Sequence, residues 1–267
     1  MSAEPVLKAK TKLSSLSIFF PCYNDAGTIG SLVATADMVA SQCAEDYEII
    51  VVDDASTDHS RALFPGLQKK HPHLRCVLHE KNKGYGAVIR RGIEEARKEF
   101  IFYTDGDGQY DVFDLLHFIP IINEGVDVVN GYKMHRHDPW YRIWIGNLYV
   151  VMMRFLFYFQ IRDIDCDFRL MRRSMFEHVK LTRDSGVICL ELVKRLEIAG
   201  YRFAEYPVAH YHRVYGHSQF FKIPRLLKTA WQIVQLWWEL TVLKKTPKET
   251  ADREVSNNIN PSLINKR

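Results

Sequence analysis

The run YEIIVVDDASTD at residues 47–58 decides the fold. Its first half holds Ile49-Ile50-Val51-Val52, a continuous apolar stretch with no polar alternation, and its second half turns acidic and turn-forming from Asp53 to Asp58. A strand that is apolar on both faces belongs inside a parallel sheet covered by helices on each side. Ser56, Thr57 and Asp58 are good N-cap residues for a following helix.

The same texture repeats outward from this run. LSIFFP (16–21), LRCVLHE (74–80), the 99–104 part of EFIFYTDGD (99–107) and VDVVNGYK (126–133) read as further strands, with helical patterns at 28–41, 58–70, 86–98 and 187–199. Short apolar strands alternating with amphipathic helices predict a doubly wound α/β domain. In such sheets ligands bind beyond the carboxyl ends of the strands. Three of those ends are polar here: Pro21-Cys22-Tyr23-Asn24-Asp25, Asp53-Asp54 and Asp105-Gly106-Asp107-Gly108-Gln109.

Composition sets the outer bounds. Of 267 residues 47% are apolar and 25% charged, which excludes a disordered or fibrous chain. The net charge of +4 is too small to imply nucleic acid, but suits an anionic membrane or phosphorylated substrates. Cys22, Cys43, Cys76, Cys166 and Cys189 are scattered with no CxxC pair, which argues against a disulfide framework or a zinc site and for a reducing, cytosolic setting. The opening MSAEPVLKAKTKLSS has no apolar stretch of signal-peptide type.

Two segments depart from this texture. WYRIWIGNLYVVMMRFLFYFQ (140–160) is almost wholly apolar and aromatic, but Arg142 and Arg154 leave between them a stretch well short of the ~20 residues that cross a bilayer. IPRLLKTAWQIVQLWWELTVLKK (223–245) carries one narrow polar stripe of Arg225, Lys228, Gln232, Gln235 and Glu239 on an otherwise Leu-, Ile-, Val- and Trp-rich helix. Basic flanks at Lys222, Lys244 and Lys245 and the tryptophans give the composition of a helix lying in a bilayer interface. A dimer interface is the competing reading. The expected organisation is a flexible lead (1–14), a main α/β domain (15–220) that includes an apolar interface helix (138–160), an amphipathic helix (221–245) and a disordered tail (246–267).

The acidic triplet is the strongest chemical signal. Asp105, Asp107 and Gln109 offer hard oxygen ligands for Mg²⁺ or Mn²⁺, although Asp-Gly-Asp-Gly equally suits a plain turn. Asp53-Asp54 reads either as acceptors for a ribose or base or as turn residues. Gly84 and Gly86, opening the next helix, leave backbone N–H groups for a phosphate or sugar hydroxyl, or form a plain turn.

Taken in order, Pro21-x-Tyr23-Asn24-Asp25, Val52-Asp53-Asp54-x-Ser56-Thr57-Asp58, Asn82-x-Gly84-x-Gly86, Asp105-x-Asp107-x-Gln109, Asp167-Phe168-Arg169-Leu170 and Arg213-Val214-Tyr215-Gly216-x-Ser218 resemble the family 2 glycosyltransferases of GT-A fold. Within them the set is most similar to the polyprenyl-phosphate (dolichol-phosphate) hexose synthases, over roughly residues 15–220. The resemblance implies a nucleotide-sugar site at Pro21, Tyr23, Asp25, Val52, Asp54, Asp105, Gly106 and Lys133. It implies a metal at Asp105, Asp107 and Gln109, with Asp107 and Arg213 carrying catalysis. Asp25 stands where relatives commonly have Glu, and Gln219 where many mannose synthases have Lys.

The implied reaction is inverting transfer of a hexose from a nucleotide-diphospho-sugar, GDP-mannose favoured and UDP-glucose next, to polyprenyl or dolichyl phosphate. A phosphate monoester with a second pKa of about 6 is already mostly dianionic near neutral pH and serves as its own nucleophile. A hydroxyl acceptor would need a base, for which Asp165 or Asp167 would serve. A non-catalytic membrane scaffold is the further alternative. Expected partners are the donor, the lipid acceptor and the cytoplasmic face of a membrane, held peripherally, with a homo-oligomer or an anchoring subunit also admissible and no nucleic acid.

Overall fold

The computed structural model describes residues 12–134, 151–213, 215 and 223–243. The expected lead up to residue 11, the 138–150 part of the expected apolar helix and the tail from residue 246 lie outside the described residues.

The first strand, β1, runs Leu13–Cys22 and is followed by α1 (Ile29–Cys43), β2 (Ala44–Asp53), α2 (Ser60–Lys70), β3 (Leu74–Leu78), α3 (Tyr85–Glu95) and β4 (Phe100–Thr104). Next come α4 (Leu115–Asn123), β5 (Val128–Lys133) and a helical stretch over 151–157, α5. The chain continues through β6 (Phe168–Arg172), the short α6 (Met175–His178), α7 (Val187–Ile198), β7 (Phe203–Val208) and α8 (Ile223–Trp237), which runs into a π-helical turn at Trp238–Val242. The strands form one seven-stranded sheet in the order β3-β2-β1-β4-β6-β5-β7. Strands β1 to β4 pair in parallel, β6 is antiparallel to both neighbours, and β5 and β7 are again parallel.

Alternation along the strands splits the core into two layers. Leu16, Ile18 and Phe20 of β1 point to the α1 and α4 side, whereas Phe19 packs with Ile50, Val52, Ile101 and Tyr103 against α3 and α7. Phe19 stacks on Tyr103 with ring centroids 5.1 Å apart. Burying each such side chain contributes on the order of 2–3 kcal/mol. A third cluster, Met153, Phe157, Ile164, Leu190, Ile233 and Leu236 among others, joins α5, α7 and α8.

The differences from the sequence reading have local causes. Leu13 lies inside the expected lead, yet it is buried and paired with Ala44, so β1 begins three residues early. Helix α3 stops at Glu95 because the Arg97 and Lys98 N–H groups donate to Glu48 and Ser17, which draws the chain out of the helix. The β6 strand sits in a stretch that reads only as mixed globular texture, since two of its five residues, Arg169 and Arg172, are arginines. Among the described residues no helix is long and apolar enough to cross a membrane.

Candidate active site

The parallel strands point their carboxyl ends to one edge, and the loops there lock together. Asp25 accepts the Tyr23 N–H at 2.9 Å, and its backbone carbonyl starts α1 by accepting from Thr28 and Ile29. The Thr28 hydroxyl donates to the Gly106 carbonyl at 2.7 Å, tying the β1 loop to the β4 loop. Contact is so close that a Cβ on Gly106 would stand 2.3 Å from the Pro21 carbonyl oxygen. Only glycine fits there.

Asp105 accepts the Tyr85 phenol O–H at 2.7 Å. Asp107 accepts the Gln109 N–H and is ion-paired with Arg213 at 2.5 Å. Gln109 in turn donates its side-chain amide to the Tyr211 carbonyl at 2.8 Å, which brings the 209–213 segment over the site. From the far side, Lys133 donates its ammonium to the Asp165 carbonyl at 2.8 Å, and its N–H to Asp163. Beneath them the fully buried Arg169 bonds Asn130, Tyr103, Asp167 and the Ile164 carbonyl.

The site is short of positive charge. Asp25, Asp105, Asp107, Asp163, Asp165 and Asp167 lie around Lys133, Arg169 and Arg213, so the carboxylates outnumber the cations by six to three. Burial, then Asp167 and Asp107, push the Asp105 carboxyl well above the usual range. Burial also raises Asp107 against the pull of Arg213. Asp25 and Asp165 are both pushed up to about 6, each mainly by burial. Burial works against the Lys133 charge, but Asp163 and its acidic neighbours outweigh it and hold the ammonium above its ordinary pKa.

This excess of negative charge on hard oxygen donors fits a divalent cation at Asp105 and Asp107. Among the described residues no group of three or more His, Cys, Asp or Glu side chains is set to hold a metal by itself. A cation here would complete its shell from donor oxygens or water, as Mg²⁺ habitually does. Gln109 spends its amide nitrogen on Tyr211.

The second acidic pair is committed inward. Asp53 is ion-paired with Arg61 and accepts the Ser56 N–H. Asp54 accepts from the Lys83 and Gly84 N–H groups and is paired with His79 at 2.8 Å. The glycine loop therefore gives those two N–H groups to Asp54 instead of leaving them for a phosphate, and the Gly86 N–H goes to the Asp184 carbonyl. Val52 is fully buried between Pro21 and Val77 in the sheet, so it supports the binding edge from within and offers a ligand no surface of its own. Tyr85, His79 and the buried guanidinium of Arg169 escaped the sequence reading as site residues. Tyr85 lay in a noted loop and Arg169 in a noted motif, whereas a lone histidine after β3 gave no signal.

A second feature flanks this site. The polar stripe of α8 faces inward: Lys228 pairs with Asp184, Gln232 bonds Asp184 and Ser185, and Gln235 and Glu239 meet Arg183. Ile233, Leu236 and Leu240 pack inward in the third cluster, and a second set of apolar residues faces out. Leu227, Trp231, Val234 and Trp238 are 68%, 63%, 55% and 52% exposed, and Phe155 and Tyr158 beside them 75% and 76%.

Known proteins frame this geometry. The domain described as glycosyl transferase family 2 is matched over residues 17–180. Two similar sequences are undecaprenyl-phosphate 4-deoxy-4-formamido-L-arabinose transferases. The one from Proteus mirabilis is 26% identical over 78% of this chain, and that from Yersinia enterocolitica 26% identical over 88%. The chain spans 64% of the length of the first relative and 69% of the second. Among solved structures, glucosyl-3-phosphoglycerate synthase from Mycobacterium tuberculosis, crystallised with Mn²⁺ and uridine diphosphate, superposes with a TM-score of 0.60 at 15% identity, covering 85% of this chain and 79% of that one. Mannosyl-3-phosphoglycerate synthase from Rubrobacter xylanophilus gives 0.61 at 14% identity, covering 90% and 79%. These two likenesses establish the shared fold.

Proposed function

The chain belongs to glycosyl transferase family 2, and from that premise we propose that it transfers a sugar from a nucleotide-diphospho-sugar to a polyprenyl phosphate at a membrane surface. The carrying observation is the juxtaposition of a carboxylate-rich strand edge, two cations aimed at it, and an outward apolar helix beside it. Both curated relatives are named for an undecaprenyl-phosphate acceptor, which supports the lipid phosphate. Their sugar is a formamido-arabinose, which gives GDP-mannose no preference over uridine-linked donors, so both nucleotides belong in the assay.

In this reading Asp105 and Asp107 hold Mg²⁺ or Mn²⁺, which when bound neutralises the departing diphosphate. Pro21, Tyr23, Asp25 and Gly106 form the bed of the nucleotide, and the buried Val52 and Asp54 brace it from behind. Lys133 and Arg213 neutralise and orient the phosphates, and positioning a reactive dianion beside the anomeric carbon supplies most of what the chain must do. No side chain has to take a proton from the attacking oxygen, and attack from the face opposite the leaving group inverts the anomeric carbon.

The membrane part of the proposal draws on α8. With its polar stripe bonded to its own domain and Ile233, Leu236 and Leu240 packed in the core, the helix presents Leu227, Trp231, Val234 and Trp238 outward. Tryptophans, leucine and valine, with Lys222, Arg225, Lys244 and Lys245 near its ends in sequence, suit the headgroup boundary of an anionic bilayer.

A second reading, a hydroxyl acceptor with Asp165 as base, is favoured by one observation, that its carboxyl is pushed up to about 6, a value suited to general-base work. The test is label transfer from UDP- and GDP-linked sugars, offered separately with Mn²⁺, to vesicles containing undecaprenyl phosphate, with Asp107→Ala as control. Metal-dependent label in the lipid phase that the variant lacks supports the proposal. Metal-dependent nucleotide binding with label released only to water or to a soluble sugar overturns it.

A further inference from the structure

The segment 182–185 links the outward helix to the donor site. On one side it is gripped by helices. Glu191 of α7 accepts the Thr182 and Arg183 N–H groups at 2.8 and 2.9 Å, while α8 holds Asp184 through Lys228 and Gln232, and Arg183 through Gln235 and Glu239. On the other side it carries the glycine loop. The Asp184 carbonyl accepts the Gly86 N–H at 3.1 Å, and the Arg183 carbonyl accepts from Arg90 of α3.

The contact is tight enough to transmit displacement. A Cβ on Gly84 or on Gly86 would lie 2.4 Å from the Asp184 or Arg183 carbonyl oxygen, so backbone rests on backbone with no side chain to cushion it. Between those glycines stands Tyr85, whose phenol holds Asp105, and just before them Lys83 and Gly84 hold Asp54. An unbroken chain of contacts thus runs from the inner stripe of α8 through residues 183–185 and 83–86 to both acidic strand ends.

We infer that α8 is a coupling element: seating its outer apolar face on a lipid surface fixes its inner polar stripe, and residues 183–185 pass that constraint to the loop that Asp54 anchors and that positions Asp105 at the donor site. This rests on the membrane reading above and adds regulation to it. The enzyme engages its donor more tightly on the membrane that supplies its acceptor. Asp184 and Gln232 act as positioning residues. Coupling between sites is reciprocal, so nucleotide must tighten vesicle binding by the same factor that vesicles tighten nucleotide binding.

The full chain is titrated with UDP or GDP in the presence of Mn²⁺, with and without vesicles of phosphatidylcholine and phosphatidylglycerol at three to one, while vesicle binding is read by co-sedimentation. Amide exchange at Gly86–Val88 is followed in the same samples. Expected is a Kd for nucleotide about 5-fold or more lower on vesicles, slower exchange at Gly86, and an equal gain in vesicle partition when nucleotide is present. Gln232→Ala should sediment with vesicles as the parent does and lose the vesicle effect on Kd. Co-sedimentation of the parent with the same Kd and the same Gly86 exchange in both conditions overturns the coupling while the membrane reading stands. Absence of co-sedimentation removes the membrane reading and the coupling with it. The parent comparison decides the matter even if the variant does not fold.

Discussion

Arg213 and Asp107, 106 residues apart in sequence, form an ion pair of 2.5 Å at the end of β4. The pair sets a cation of the chain against the carboxylate proposed to hold a metal. Arg213→Ala therefore strips Asp107 of its counter-charge and removes the acceptor's clamp. The expected result is a loss of about 1.5–3 kcal/mol in unfolding free energy and a rise of at least about 10-fold in KM for the lipid phosphate, since in each case one charged hydrogen bond is lost. Arg213→Lys should recover part of the KM, because charge is kept and the bidentate fork is not. Urea unfolding and steady-state kinetics check both.

Gly106→Ala places a methyl group 2.3 Å from the Pro21 carbonyl oxygen, so the β1 and β4 loops must part. The Thr28 bond to the Gly106 carbonyl is strained in the same movement. Overpacking of this kind costs about 1–3 kcal/mol. Metal-dependent nucleotide binding, measured by calorimetry, should fall further than stability, because Asp105 and Asp107 flank the displaced residue.

The legibility of this fold follows from chemistry that is local in sequence. Ile49–Val52 and Ile18–Phe20 announce buried parallel strands, and their acidic ends announce the binding edge. Partners that arrive from far along the chain give no such sign: nothing near Arg213 points to Asp107, and nothing near Tyr85 points to Asp105. The stripe Lys228, Gln232, Gln235 and Glu239 was visible as a stripe, but its direction was not. An amphipathic helix normally turns its polar face to water, and here Asp184, Ser185 and Arg183 claim it instead. Helix α3 ended early for the same reason, as distant Ser17 and Glu48 took its last N–H groups.

Asp25 and Asp165 carry a stability signature in pH. Burial raises both from 3.8 to about 6. Below the unfolded value, about pH 4, both states hold these protons and no penalty arises. As pH rises toward 6 the unfolded chain releases protons that the folded chain retains, so the ligand-free protein loses stability across that window. Asp37, Glu48 and Asp58 are lowered and act with opposite sign, their contribution being lost only as pH falls below the ordinary carboxylate range. Urea midpoints between pH 4 and 7 should show the decline, and Asp25→Asn should flatten it.

Asp105→Asn tests whether the crowded carboxylates are kept for a ligand. Asp105 is buried beside Asp107 and Asp167, and replacing it by a neutral amide relieves their repulsion. The variant should melt a few degrees higher than the parent without ligand, in keeping with about 1 kcal/mol gained, and should lose the thermal shift that Mn²⁺ with nucleoside diphosphate gives the parent. Differential scanning fluorimetry reads both.

The central claim is that a lipid phosphate, already ionised, attacks the donor without a base from the protein. Asp165→Asn, assayed side by side with undecaprenyl phosphate and with the corresponding free alcohol as acceptors, tests it most directly. The expected result is transfer to the phosphate within about 10-fold of the parent rate, short of the roughly 100-fold or more that loss of a general base removes, and none to the alcohol by either protein. Abolished transfer to the phosphate in the variant, or efficient transfer to the alcohol by the parent, would contradict it.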